Sequence, residues 1–307
     1  MALTRLLGVG VVGAAVLALA ACGDSTSSSS SGAASQPPVA TPTPVAACAT
    51  GTLNIDGSSA IKALVQKAAD EYQAKCPGAT ITVAASNSST GVTKASSGAV
   101  DIGDSDIPAT LVQGVDPTTL SDNLVAIVNF AVVVNPQAKV TNLTSQQIRD
   151  IFSGKTTNYK DVGGADLPIA VFERTAGSGT RFTFDKDIMQ GADETSSPAQ
   201  VINTTQTVVT AMQGAPGAIS YLTASSVTQA SGLVALSIDG NGATGPNIAA
   251  GKYPFFSHEH MFTKPNPALL VLSFIQYIKS AAFQNGSLVT LLYLPLTTTT
   301  NLAAVDK

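Results

Sequence analysis

The spacing of apolar positions along this chain changes several times, and each change marks an element. "TLNI" (52–55) alternates with the two-residue period of a half-buried strand. "AIKALVQKAADEYQAK" then puts Ile61, Leu64, Val65, Ala68, Ala69 and Tyr72 on one helical face. "ATITVAA" (79–85) returns to strand, "GVTKASSG" to a short helix, and "VDIGDSD" to a third strand with a turn. Strand, helix, strand in this order predicts an α/β fold with a largely parallel sheet.

"NLVAIVNFAVVVN" (123–135) is long enough to leave one lobe and enter another. "NLTSQQIRDIFSGK" follows, with Thr144 as a helix cap and Gln147 three residues on, the capping-box pattern. "PIAVFERT", "GAISYL" (217–222) and "GLVALSI" (232–238) read as further β material. "YPFFSHEHMFT" reads as a polar return crossing, and "PALLVLSFIQYIKSAAFQNG" as one strong final helix. So long a body exceeds one ordinary domain, which predicts two lobes: 50–134 with 260–307, and 135–259.

The amino terminus has a different character. Arg5 precedes an uninterrupted small-to-apolar run from Leu6 to Leu19, too short to span a bilayer comfortably, and "LALAAC" closes it at Cys22. Residues 1–21 read as a signal peptide, and the ending resembles a bacterial lipobox, which implies a lipidated Cys22 and an exported protein held at the outer face of the cell membrane. A plain secretory signal is the alternative. Residues 22–47 are then a Ser/Pro-rich tether with almost nothing to bury. Such a coil spans about 25–30 Å, enough to hold a globular body just off a membrane.

The formal net charge is −4, and loss of Arg5 with the leader makes it more negative still. That balance excludes nucleic-acid binding by bulk electrostatics. An anion would have to be held by local dipoles against the protein's own charge. Cys48 and Cys76 each stand four residues before a predicted strand, at Thr52 and Thr80. If those strands are parallel neighbours, both sulfurs lie at one end of the sheet, and an exported chain permits a Cys48–Cys76 disulfide; two free thiols are the alternative.

Candidate chemistry gathers where strands give way to helices. "DGSSAI" sets Gly57, Ser58 and Ser59 after the first strand, "SNSSTGV" sets Ser88, Ser89 and Thr90 after the second, and "DIGDSDIP" puts Asp106 at the end of the third. "FERTAGSGTRFTF" (172–184) places Arg174 before a Gly-Ser-Gly-Thr turn and a helix start. Carboxyl ends of strands are where open α/β sheets bind ligands. Taken singly, each loop has a plain explanation as a cap or a surface side chain. Together, three hydroxyl-rich turns, one guanidinium and one carboxylate suit a small tetrahedral oxyanion.

In this order, "GSSA", "YQAKCPGATITVAASNSSTGV", "AVDIGDSDIP", "LTSQQIRDIFSGK", "RTAGSGT", "GAISYL" and "YLPL" resemble the phosphate-binding subunits of bacterial high-affinity phosphate ABC transporters. The resemblance covers residues 51–300 and implies the two-lobed type II periplasmic-binding-protein fold, each lobe a mainly parallel sheet flanked by helices, with the ligand in the cleft. It implies inorganic phosphate as ligand, permease subunits as partners, a monomer, and neither cofactor nor metal. Its phosphate contacts fall on Ser59, the Ala60 N–H, Ser88, Asp106, Arg174, Ser178, Gly179 and Thr180. Ser88 and Ser89 both remain open as the direct ligand of the second turn, and Asp104 is an additional acid beside Asp106.

Within that set Asp106 would select. A carboxylate repels an anion unless the anion offers a proton, which hydrogen phosphate does and sulfate does not. A site built around a ligand O–H rejects an analogue lacking it by about 10⁴–10⁵. Asp106 as a turn-former before Pro108 is the plainer alternative. Another oxyanion or a phosphate-sensing role would use the same lobes. A serine esterase is less consistent: "TAGSG" lacks the first glycine of a nucleophile elbow, and the histidines are His258 and His260 alone. His258 and His260 could share one face of a strand, but no further metal ligand is visible.

Overall fold

In the computed structural model, residues 48–298 are described except Ser196, Ala199, Ala230 and Ser231. The expected leader, Cys22 and the tether lie outside the described residues. The body opens with β1 (Gly51–Gly57), α1 (Lys62–Lys75), β2 (Ala79–Val83), α2 (Ser88–Ser97) and β3 (Ile102–Ser105). β4 (Ser121–Val134), β5 (Asn142–Leu143), α3 (Ser145–Phe152), β6 (Ala170–Arg174) and α4 (Gly179–Phe184) follow. Next come β7 (Gln200–Ile202), α5 (Thr205–Gln213), β8 (Ala218–Thr223), α6 (Ala224–Gln229), β9 (Val234–Ala235) and β10 (Ser237–Ile238). α7 (Gly245–Ala249), β11 (Phe256–Thr263) and α8 (Leu269–Lys279) complete it.

The main sheet runs β2-β1-β3-β11-β4-β8-β6-β7, with β9 also paired to β4. Its two wings, β2-β1-β3 and β8-β6-β7, are parallel, and antiparallel β11 and β4 join them. This is the expected mixed α/β architecture. The long apolar run does cross from wing to wing: the first part of β4 pairs with β11, and Phe130–Val134 pair with β8. Every residue from Val125 to Val134 is buried, as a strand covered on both faces requires.

The helical periods survive folding. α1 buries Leu64, Val65, Ala68, Ala69 and Tyr72, and the Tyr72 ring meets Phe274 of α8 edge-on at 5.9 Å. Leu64 and Val65, fully removed from water, each contribute roughly 1.5–3 kcal/mol. Thr144 and Gln147 form the reciprocal capping box of α3. β1 and β2 pair in parallel with Gly51 opposite Ala79 and Thr52 opposite Thr80, and a disulfide joins Cys48 to Cys76 across Cα atoms 5.2 Å apart.

Other boundaries moved. α1 starts at Lys62 rather than at the serine turn, because Ser58 and Ser59 turn their hydroxyls elsewhere and Ile61 takes the cap position. α2 starts earlier than expected, since the Asn87 side chain accepts from Thr90 N–H and draws Ser88–Thr90 into the first turn. The final helix breaks at Ser280, whose extended backbone (ψ 145°) ends α8. The "SHEHMF" crossing is no solvated segment: it lies inside β11 in the middle of the sheet, with His258, Glu259 and His260 all buried.

Candidate functional site

The turns after β1, β2, β3, β6 and β7 converge at the carboxyl ends of their strands, from both wings. Close approach sets their sequences. A Cβ on Gly57 would stand 2.0 Å from the Asp104 carbonyl oxygen, so no other residue lets β1 and β3 meet there. A Cβ on Gly179 would stand 2.4 Å from Ser88 Oγ and 2.7 Å from Asp106 Cβ. The glycine turn of "GSGT" is therefore pressed against the second and third turns of the opposite wing.

Asp106 sits at the centre, 1% exposed. Its Oδ1 accepts from Ser58 Oγ and its Oδ2 from Thr180 Oγ1 at 3.1 Å. Its backbone N–H donates to Ser88 Oγ at 3.1 Å, and its carbonyl accepts from Ser257 Oγ. A carboxylate has about four acceptor positions, so two hydroxyls leave capacity for further donors.

Arg174 ends β6 and is equally buried. Nε donates to the Ile202 carbonyl at 3.3 Å, while Nη2 donates to the Asn203 carbonyl at 2.6 Å and to Ser59 Oγ at 3.2 Å. Nη1, also buried, has no hydrogen-bond partner among the described residues. Burial lowers the guanidinium pKa, and the charge of Asp106 opposes that shift. An unpaired donor on a buried cation costs free energy unless something arrives to accept from it.

The other expected residues take their places around this pair. Ser59 Oγ also accepts from Thr205 N–H at 3.0 Å, at the start of α5. The Ala60 N–H is engaged by Ser58 Oγ at 3.1 Å. Ser178 caps α4 by accepting from Arg181 N–H at 3.3 Å, and Gly179 and Thr180 form the first turn behind it. Of the two candidates in the second turn, Ser88 is buried against Asp106 and Gly179, while Ser89 offers its backbone N–H to the Gly177 carbonyl at 3.1 Å.

Asn203, Thr205 and Glu259 are residues of this site that the sequence did not single out as ligand-binding, and Ser58, placed in the first turn, was not among the expected contacts. Thr204-Thr205 before α5 repeats the hydroxyl pair of Ser58-Ser59, a signal that could have found it. Asn203 contributes a backbone carbonyl, which any residue could supply. Glu259 arrives from the far end of the chain through sheet register. Asp104, buried beneath Asp106, has its pKa raised by burial and by the charges of Asp56 and Asp106. No group of three or more His, Cys, Asp or Glu side chains suited to a metal ion occurs among the described residues.

Residues 42–282 match the PBP superfamily domain. The phosphate-binding protein PstS of Bacillus subtilis is 39% identical over 251 residues, 81% of this chain and 82% of that protein. The chain belongs to the PstS family of the PBP superfamily. Solved structures agree with the assignment. A substrate-binding protein from Clostridium perfringens with bound phosphate superposes with a TM-score of 0.73 at 27% identity, covering 80% of this chain and 100% of that one. An ABC-type phosphate transport receptor from Vibrio cholerae gives 0.61 at 27% identity, over 79% of this chain and 99% of that one.

Proposed function

We propose that this protein captures inorganic phosphate outside the cytoplasm for an ABC importer, by reversible binding without chemistry. The observation that carries the reading is the buried Arg174 guanidinium with Nη1 unsatisfied, beside an Asp106 carboxylate held by neutral hydroxyls. The guanidinium supplies charge-assisted donors to the phosphate oxygens. Ser59, Ser88, Ser178, Thr180 and the N–H groups of Ala60 and Gly179 surround it with neutral dipoles. Asp106 accepts the proton of hydrogen or dihydrogen phosphate and repels sulfate, which has none to give.

Lobe closure completes the proposal. The first lobe comprises 50–134 with 260–307 and the second 135–259, and the site draws on both. Hydrogen bonds that span that division include Arg174 to Ser59, Thr180 to Asp106, and Asn87 Nδ2 to Asn203 Oδ1 at 2.9 Å. Phosphate gripped from both sides favours the closed form, which the permease would recognise. The monomeric body hangs from a lipidated Cys22 on its tether.

Calorimetric titration with phosphate, arsenate and sulfate in parallel tests the function. Phosphate and arsenate, near-twins in shape and protonation, should compete; sulfate should not. Absence of phosphate binding, or equal binding of sulfate, would overturn it. Scattering curves identical with and without phosphate would remove lobe closure while leaving capture intact.

A further inference from the structure

Glu259, like Asp104, is a strongly buried acid near the site that the phosphate reading does not use. It is fully buried in β11, where an ionised carboxylate without a cation would cost several kcal/mol. β11 pairs antiparallel with β3 through Phe262–Gly103, Met261–Asp104 and His260–Ser105. One step further along the same register, Glu259 stands across from Asp106, and the Ser257 hydroxyl two residues away donates to the Asp106 carbonyl. Alternation along the strands therefore puts Glu259, Asp104 and Asp106 on one face.

We propose that Glu259 is a positioning residue for anion selection: as a neutral acid it donates its own proton to Asp106 and so keeps Asp106 an acceptor that the ligand must serve. The inference rests on the phosphate reading and names the device behind its selectivity. Without such a donor, Asp106 would lose a hydrogen bond that helps fix the direction of its remaining lone pairs. A carboxyl free to turn would no longer present an acceptor to the ligand, and sulfate would be refused less strictly.

The charges around Glu259 favour this state. Burial raises its pKa most, followed by the negative charges of Asp106 and Asp104, and neither of its carboxyl oxygens finds a hydrogen-bond donor among the described residues. The carboxyl-terminal segment brings Tyr293, whose own proton is held more tightly by burial. On β1, Asp56 is paired with Lys94 of α2. On β11 itself, His260 faces Asp122 of β4 at 2.8 Å, and His258 lies on the same side of the strand as His260. Arg174 approaches from the other wing and acts on Asp106. Glu259 thus faces carboxyls and a phenol, with the nearby cations committed elsewhere.

The test compares wild type, Glu259→Gln and Glu259→Ala in the full chain, titrating phosphate and sulfate from pH 5 to 9. Gln keeps a donor but cannot ionise. It should bind phosphate at pH 7 within about threefold of wild type and lose the additional fall in affinity expected of wild type at high pH. Glu259→Ala should shrink the phosphate-to-sulfate preference at pH 7 by tenfold or more, with sulfate affinity rising. Infrared spectra should show a protonated-carboxyl band in wild type that Glu259→Gln lacks, a readout that stands even if the alanine variant folds poorly. Unchanged preference and pH profiles in both variants, or no such band, would overturn the role of Glu259. A wild type that fails to bind phosphate at any pH would instead overturn the underlying reading.

Discussion

Two clusters of acids flank Arg174, one gathered around a cation and the other without one. In the second wing Glu173, Asp185 and Glu194 gather around Arg181, whose guanidinium reaches Glu194 at 2.5 Å, Glu173 at 3.4 Å and Asp185 at 3.6 Å. Arg181 also donates to the Arg174 carbonyl at 2.6 Å, so this cluster braces the backbone of the residue that would grip the ligand. In the first wing Asp104, Asp106 and Glu259 lie together with no cation at their centre among the described residues: hydroxyls serve Asp106, and burial with neighbouring negative charge raises the pKa of Asp104 and of Glu259. A compensated cluster is a strut. An uncompensated one can compensate itself only through protons, which makes it sensitive to the protonation of whatever it meets.

The comparison breaks most decisively at Asp106. Asp106→Asn turns an acceptor into a group that can also donate, and the preference for phosphate over sulfate should fall by at least about 100-fold, measured by calorimetry. Full preference in that variant would mean the uncompensated cluster does not select. Arg174→Ala should weaken phosphate binding by about 100-fold, the worth of one or two charge-assisted hydrogen bonds. Unchanged affinity would take Arg174 out of the site.

Smaller effects sharpen the role of the strut. Arg181→Met leaves Glu173 and Glu194 without their cation; allowing for the 22% exposure of Arg181, urea unfolding should lose about 2–3 kcal/mol. Ser88→Ala removes a single hydroxyl and should cost about fivefold in phosphate affinity, while Ser89→Ala should stay within twofold.

The smallest expected effect is a slope with pH. Burial raises Glu194 from 4.5 to about 8, against the opposing pull of Tyr221 and Arg181. The folded protein therefore holds this proton where the unfolded chain has released it. Its contribution to stability is complete below pH 4.5 and fades as pH rises toward about 8. Thermal unfolding of wild type should decline across that window, and Glu194→Gln should flatten the decline.

Legibility in the sequence followed the range of the forces involved. The α1 face, the Thr144 capping box and the parallel β1–β2 pairing were readable because three- and four-residue periods and local caps act within a few residues. Arg174 and the Gly-Ser-Gly-Thr turn were readable as a motif. The start of α2 was misplaced because Asn87 competed with three hydroxyl residues for the cap, and only packing against Gly177 and Gly179 decides among them. "SHEHMF" misled because its polar letters describe a solvated segment, whereas pairing with β3 and β4 on either side makes it a buried strand.

By itself the sequence determined the alternation of strands and helices and the wing-to-wing strand, since each depends on local period. The tertiary structure decided which carboxyl stands beside which. Glu259 and Asp106 are 153 positions apart along the chain and become neighbours only when β11 docks antiparallel on β3. Sheet register has no local signature at that separation, because the partner of a strand is chosen by the packing of the whole sheet.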